Sequence, residues 1–368
     1  MSLFFVIFFA FQLMKEGGES FPLIPPLYLE ERKNLYSPYS DFIKKFRNLE
    51  TAGTISKEDV IYFVLQNGEI YKYYDLKFNK IISLETSVLC PPKLYNGVLY
   101  IGTASGELVA ISTKTGEILW KQKLFNKPVI SPPEIAEEFI ILKSYNDDLL
   151  LIDSKNGETL KIIKNEGLSE YKVVTFSPPV YDEKERVIFY GTQNGNLLAV
   201  DLEFKILWKT KLKEEFTSFT GTPVPGEEIV AIPLGGRYIV GVDKRRGEKI
   251  WEKELKNIEV VGNYKSTIFV VSQDGVFTSL DINNGKEIKE KKIKGIKGAT
   301  QISVSHDGKI IVGTSTGNLY ILNSDLKILQ RIKLEGGISS PVSIYRRGIG
   351  VLTDTGNAYV LVSRGYDR

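Results

Sequence analysis

A unit of about forty residues, repeated eight times and punctuated by glycine turns, predicts an all-β protein. The expected fold is an eight-bladed β-propeller of four-stranded antiparallel blades. Three observations carry this reading. Similar copies begin at Gly68, Gly106, Asp148, Gly195, Arg237, Gly275, Gly317 and Gly356, at spacings of 38 to 47 residues, and a period of that length marks a repeat architecture. Within each copy apolar and polar residues alternate with a period of two, as in strands. Gly recurs at two fixed places per copy, where hairpin turns need positive φ. A helical repeat would instead show 3.6-residue stripes and few glycine turns.

The elements follow in order along the unit. A Ser/Thr/Cys-Pro motif opens it, as at Cys90-Pro91-Pro92, Ser131-Pro132-Pro133, Ser177-Pro178-Pro179, Thr222-Pro223 and Ser340-Pro341. Proline is tolerated at the start of a strand or on an edge, which suits a short innermost strand. A second strand comes next, such as Val98–Gly102 or Val187–Gly191. A tight turn follows, at Ser105-Gly106, Asn194-Gly195, Asp274-Gly275, Thr316-Gly317 and Thr355-Gly356. The third strand then alternates Leu108, Ala110 and Ser112 with Glu107, Val109 and Ile111. A second glycine turn (Thr115-Gly116, Asn156-Gly157, Arg246-Gly247, Asn284-Gly285) leads to an outer strand such as Glu117–Leu124.

The last copy stops soon after Val362, with no room for an outer strand. Asp41–Glu50 (DFIKKFRNLE) is similar to the outer strands KILWKTKL and KILQRIKL. Residues 41–50 are therefore expected to pair beside residues 357–363. That pairing would close the ring and remove its open edges.

At 368 residues the length alone suggests two or three domains of roughly 150 residues. The repeat replaces that partition with one propeller domain over 21–368, its blades over about 51–364, preceded by an export segment over 1–20. The run Ser2–Met14 is uncharged and apolar. As a helix it would span only about 20 Å, short of a hydrocarbon core of about 30 Å. It therefore reads as the apolar region of a secretory signal, although no Lys or Arg precedes it and no small-x-small site follows. A buried strand or a misplaced start is the competing reading. No Cys follows the run, so a lipid anchor on cysteine is not expected. The protein is expected in the periplasm or cell envelope, or in the cytoplasm if the segment is not a signal. No transmembrane span is expected elsewhere.

The charges nearly cancel, with 48 Lys+Arg against 45 Asp+Glu, so nucleic acid is not indicated as the main partner. One Cys (Cys90) and one His (His306) exclude an intrachain disulfide. They also exclude a zinc site built from several Cys and His ligands.

The pattern G-x-L-x-A-x-D-x-x-T-G-x-x-x-W resembles the repeat of the pyrroloquinoline-quinone (PQQ) propeller superfamily. The second blade carries Gly106, Leu108, Ala110, Thr115, Gly116 and Trp120, with Ser112 where Asp is usual. The fourth carries Gly195, Leu197, Ala199, Asp201 and Trp208, and the fifth Asp243, Gly247 and Trp251. The resemblance covers about 50–364. It implies that Trp120, Trp208 and Trp251, with Gly116 and Gly247, serve structural docking between blades. The equivalent tryptophan places hold Lys161, Lys289, Gln330 and Ile82, so several outer contacts must be made otherwise.

Three function classes follow from the resemblance. A PQQ-dependent dehydrogenase would require large insertions, a Ca²⁺ site, an Asp base and often a vicinal disulfide; one cysteine forbids the last, and no residues are identified to hold the cofactor. A generic ligand- or partner-binding propeller, as in a sensor or extracellular module, would be favoured by a fused kinase or carbohydrate-binding segment. The resemblance is closest to the BamB-type family, components of the outer-membrane β-barrel assembly machinery. It implies a non-catalytic periplasmic scaffold that docks, as a monomer, on a protein partner such as the barrel-assembly subunit. No catalytic, cofactor-binding or metal residues are expected, and no cofactor.

The remaining chemically suggestive residues have structural readings. His306 lies in the turn-forming run Ser305–Lys309, and Cys90 takes the small-residue place of the blade-opening motif. Asn146-Asp147-Asp148 lacks the D-x-D-x-D-G run of a calcium loop and sits where other blades have hairpin turns. Lys286–Lys297 holds six Lys against two Glu and reads as a solvated outer edge, with an acidic partner as the alternative. Arg237, Arg346 and Arg347 are candidates for a docking surface.

Overall fold

A computed structural model of the protein describes residues 21–36, 52–165, 177–212, 219 and 221–363. The described residues form thirty-two strands in eight four-stranded antiparallel sheets, with no helix. Blade one is Gly53–Lys57, Val60–Val64, Glu69–Tyr74 and Lys77–Ser83, from the innermost strand to the outermost. Blades two to seven repeat that order, with innermost strands beginning at Lys93, Glu134, Val180, Val224, Ile258 and Ala299. In blades two to five the predicted Pro motif immediately precedes the innermost strand, and in blade eight one residue, Val342, separates them.

The hydrophobic core lies between the blades. Eight clusters of buried apolar side chains occur, and each joins two neighbouring blades. Ile55, Val64 and Ile70 of blade one meet Leu99, Ile101 and Val109 of blade two. Leu334 and Ile338 beside blade seven meet Ile349 and Leu361 of blade eight. Phe63 and Tyr73 of blade one meet Tyr345 and Val360 of blade eight. A forty-residue sheet cannot bury both of its faces alone, so stability comes from stacking neighbours. This also corrects the simple alternation expected of the third strand. Leu108, Val109, Ala110 and Ile111 are all buried, because both faces of a middle strand are covered.

Blade eight consists of Ser343–Tyr345, Gly348–Leu352, Asn357–Ser363 and, as its outer strand, Leu27–Asn34. The ring thus closes by an N-terminal strand, but the strand is not 41–50. Leu27 pairs with Ser363 and Asn34 with Asn357, and residues 41–50 lie outside the described residues. The reason is geometric. An outer strand ending at Glu50 would leave two residues before the innermost strand at Gly53. The chain would reach at most about 11 Å, whereas rim and inner strand are three spacings, about 14 Å, apart. Leu27–Asn34 also obeys the repeat at its end. The Leu35 N–H donates to the Gly356 carbonyl at 2.9 Å, as Leu84 does to Gly68, Leu124 to Gly106 and Leu334 to Gly317.

Every outer strand breaks register with its neighbour once. Such bulges bend the edge and re-aim a side chain. In the closing strand the skipped residue is Glu30. Its carboxylate accepts hydrogen bonds from Arg347 of blade eight and from the Tyr73 hydroxyl of blade one, the latter at 2.8 Å. This latch ties the closing strand to both blades at the last junction.

Candidate functional site

Antiparallel strands divide the turns between two faces. One face carries the inner-to-second and third-to-outer turns, all two to five residues long. The other carries the second-to-third turns and the connections from each outer strand to the next blade. Those connections vary from three residues, between blades five and six, to sixteen between blades three and four and eighteen between blades eight and one. Variation concentrates on this connection face, as expected where loops on a rigid scaffold carry the binding differences.

The tight turns beneath the connections hold their starts in place. Gly68, Gly106, Gly275 and Gly317 all have positive φ, and a Cβ on each would lie within 2.1 to 2.4 Å of a carbonyl oxygen of the connection. Glycine here serves both the turn and the close approach. A Ser or Thr at the head of the turn braces it from within. The Ser272 hydroxyl accepts from the Val276 N–H at 3.0 Å and donates to Asp274 at 2.6 Å.

Blade three departs from this pattern. Asp147 takes the glycine place at φ 63°, and its N–H donates to the Ser144 carbonyl at 3.0 Å, so Asn146-Asp147-Asp148 is a hairpin turn. The Asp147 carboxylate lies 3.3 Å from the Lys143 ammonium, and both side chains are 1% exposed. The carboxylate also accepts from the Gln193 N–H of blade four at 2.6 Å, and Lys143 donates to the Gly191 carbonyl at 3.2 Å. Burial pulls the Lys143 ammonium below its ordinary pKa and pushes the Asp147 carboxyl up, and each charge partly offsets the other's loss of solvent. A second buried pair, Lys244 with Asp182, sits on the opposite face, where Lys244 also donates to the carbonyls of Gly226 and Glu227.

The three tryptophans reach across to the next blade. The indole N–H of Trp120 donates to the Ser154 carbonyl at 3.0 Å, that of Trp208 to Lys244 at 2.8 Å and that of Trp251 to Ile282 at 2.9 Å. Each ring rests over a turn glycine of that blade. A Cβ on Gly157, Gly247 or Gly285 would lie 2.5 to 2.7 Å from a ring carbon of Trp120, Trp208 or Trp251. Gly247 therefore meets Trp208, not the Trp251 of its own unit. Gly157 and Gly285 are the partners that sequence reasoning missed. Gly116 meets Ile81 of blade one, so Ile81 rather than Ile82 faces that turn.

Three of the blades without tryptophan keep a donor. Lys161 donates to the Glu203 carbonyl at 2.7 Å. Gln330 donates to the Leu27 carbonyl at 2.8 Å and accepts from the Leu27 N–H at 2.6 Å. In blade six Lys291, two residues beyond Lys289, donates to Leu326 at 3.0 Å. What the positions share is a long side chain able to reach a turn carbonyl, a property that a search for tryptophan overlooks.

The other candidates fall into place separately. His306 is exposed in a turn, and Cys90 is buried at 1% exposure. Arg237 pairs with Glu254 and Arg346 with Asp59, while Arg347 belongs to the Glu30 latch. A groove of about 480 Å³ opens between blades five and six, lined by charges of both signs, of which Lys253 and Glu287 pair across the seam at 3.2 Å. Among the described residues no three His, Cys, Asp or Glu side chains come together as metal ligands. No described helix is long and apolar enough to cross a membrane.

Burial pushes the Cys90 thiol up to about 12 and the Tyr71 phenol to about 12. It also raises Tyr73, Tyr190 and Tyr345. Each folded group keeps its proton to a higher pH than the unfolded chain does. Their contribution to stability is therefore complete below pH ~8.5 and is lost as pH rises through the folded values. Urea midpoints are expected to hold at pH 7 to 8 and fall between about pH 9 and 12, the fully buried Cys90 adding a slope of up to about 1.4 kcal/mol per pH unit and the partly exposed tyrosines less, because solvent screens them. Cys90→Ala should make that slope shallower. An unchanged slope would show that the thiol does not contribute.

Comparison with known proteins extends the geometry. Residues 83–204 and 204–327 each match the family described as "Outer membrane protein assembly factor BamB". The protein of that name from Moranella endobia (strain PCIT) is 25% identical over 324 residues, covering 82% of this chain and 80% of its own. That from Legionella pneumophila (strain Paris) is 22% identical, covering 72% and 81%. Among solved structures, BamB from Moraxella catarrhalis superposes with a TM-score of 0.75 at 17% identity, covering 92% of this chain and all of that one. The computationally designed Ika8 protein superposes at 0.70 with 12% identity, covering 86% and 97%, which speaks to the fold alone. The family match spans most of the ring, and with the repeat and the eight-bladed closure it establishes that this chain belongs to the BamB-type outer-membrane assembly-factor family of PQQ-like β-propellers.

Proposed function

We propose that this protein is an exported, non-catalytic scaffold of the cell envelope. In this reading it assists outer-membrane β-barrel assembly by holding its connection face against a protein partner. The observation that carries it is the family match across both halves of the ring. The geometry supports a scaffold, because a closed ring of packed blades presents its connections from a rigid base, which limits the ordering cost of binding. Trp120, Trp208 and Trp251, with Gly116 and Gly247 and the further glycines above, dock blade on blade along the opposite face and so hold the ring that carries the connections rigid. The protein acts as a monomer, and residues 1–20 direct export.

Affinity capture from a cell-envelope extract tests the proposal. The full chain is expected to recover a barrel-assembly subunit. Shortening the sixteen-residue connection between Ile163 and Val180 to nine residues should reduce that recovery at least tenfold while leaving Tm within a few degrees. Recovery of no barrel-assembly subunit would sink the assembly role. Dye-linked alcohol oxidation by the purified protein with added PQQ and Ca²⁺ would sink the non-catalytic one.

A further inference from the structure

The eight outer strands form the rim of the ring, and the rim is far more basic than the chain. It carries sixteen Lys or Arg and six Glu, an excess of ten, whereas the whole chain has an excess of three. The imbalance is sharpest over three consecutive blades. The outer strands Ile118–Lys123, Thr159–Ile163 and Ile206–Lys211 hold five lysines and no acidic residue. Lys121 pairs with Glu107. Lys123, Lys161 and Lys211 donate to turn carbonyls, which holds their ammonium groups on the rim without cancelling the charge.

The same three strands expose aliphatic side chains. Ile118, Leu119, Leu160, Ile162, Ile206 and Leu207 are 41 to 53% exposed. Trp120 and Trp208 stand between them, half-buried. Basic residues interleaved with large aliphatics and tryptophan make up the composition of surfaces that lie in the headgroup region of a bilayer. Two features oppose the other obvious occupant, an added polypeptide strand. Lysine-studded edges resist strand pairing, and a register break interrupts each of these outer strands.

We propose that the rim of blades two to four is a membrane-contact surface that rests on anionic phospholipid, so that the ring stands on its edge against the bilayer. Lysines supply attraction within a Debye length of the surface, and the exposed aliphatics enter the headgroup boundary. This inference does not rest on the assembly role.

Tryptophan emission tests it in the full chain, since all three tryptophans lie in the propeller and two of them lie on this rim. Vesicles of phosphatidylcholine with 30% phosphatidylglycerol, carrying brominated acyl chains, are expected to quench Trp120 and Trp208. Brominated vesicles of phosphatidylcholine alone should quench at least tenfold less at equal lipid. A quadruple variant, Leu119→Ser, Lys123→Glu, Leu207→Ser and Lys209→Glu, should lose the quenching while keeping its circular dichroism and Tm. The rim variant Ile288→Ser/Lys289→Glu in blade six should keep it. Equal quenching by neutral and anionic vesicles, no quenching at all, survival of quenching in the quadruple variant, or equal loss in the blade-six variant would each overturn the proposal.

Discussion

Removing residues 1–36 is expected to abolish cooperative unfolding, whereas removing residues 1–20 should leave the urea midpoint nearly unchanged. Leu23, Leu27, Leu35 and Tyr36 are 1 to 7% exposed and belong to the clusters at the two junctions of blade eight. Burying a large apolar side chain contributes about 1.5–3 kcal/mol. Four of them amount to about 6–12 kcal/mol, comparable to the whole net stability of about 5–15 kcal/mol for a domain. The longer deletion also removes the Gln330–Leu27 hydrogen bonds and the Glu30 latch. The shorter one keeps all of these. A native-like, single urea transition from the chain beginning at residue 37 would refute the closing role of this strand.

Replacing Lys143 by Met should lower stability by about 3–5 kcal/mol. The Asp147 carboxylate would then be buried without its counter-charge, the costly way to break an internal pair. The double variant Lys143→Met/Asp147→Asn should recover most of that loss. Asparagine tolerates the positive φ of this turn, and its amide oxygen can still accept the Gln193 N–H, while the uncompensated charge is gone. Urea denaturation of the two variants measures the difference. If the single and double variants lose equal stability, packing rather than charge governs the site.

The position of the closing strand shows where sequence resemblance misleads. DFIKKFRNLE copies the look of an outer strand, and Asn48-Leu49 even copies its end. Asn34-Leu35 carries the same ending, and only the latter leaves enough chain to cross from rim to centre. The clue lay in connection length rather than in composition. Glu30 was illegible for a related reason, because the bulge that aims it at Arg347 and Tyr73 depends on the register with the last strand. The docking residues were half legible. Trp120, Trp208 and Trp251 stand out by type, but the substitutes Lys161 and Gln330 read as ordinary surface residues until their turn carbonyls are placed beside them.

The chain by itself determined that this protein is a ring of eight sheets. Turn glycines, strand alternation and the Pro motif act within a few residues, and each copy writes them again. It also pointed to an N-terminal strand completing the last sheet, and Leu27–Asn34 pairs there with Asn357–Ser363. Tertiary structure alone decided which segment is lent, which glycine lies under which tryptophan, and that lysines and isoleucines from three separate repeats share one rim. A repeat states what each blade contains but not which neighbour its side chains meet. Contacts across the junctions join residues about forty positions apart, or about three hundred at the closure, and they follow from the curvature and handedness of the ring.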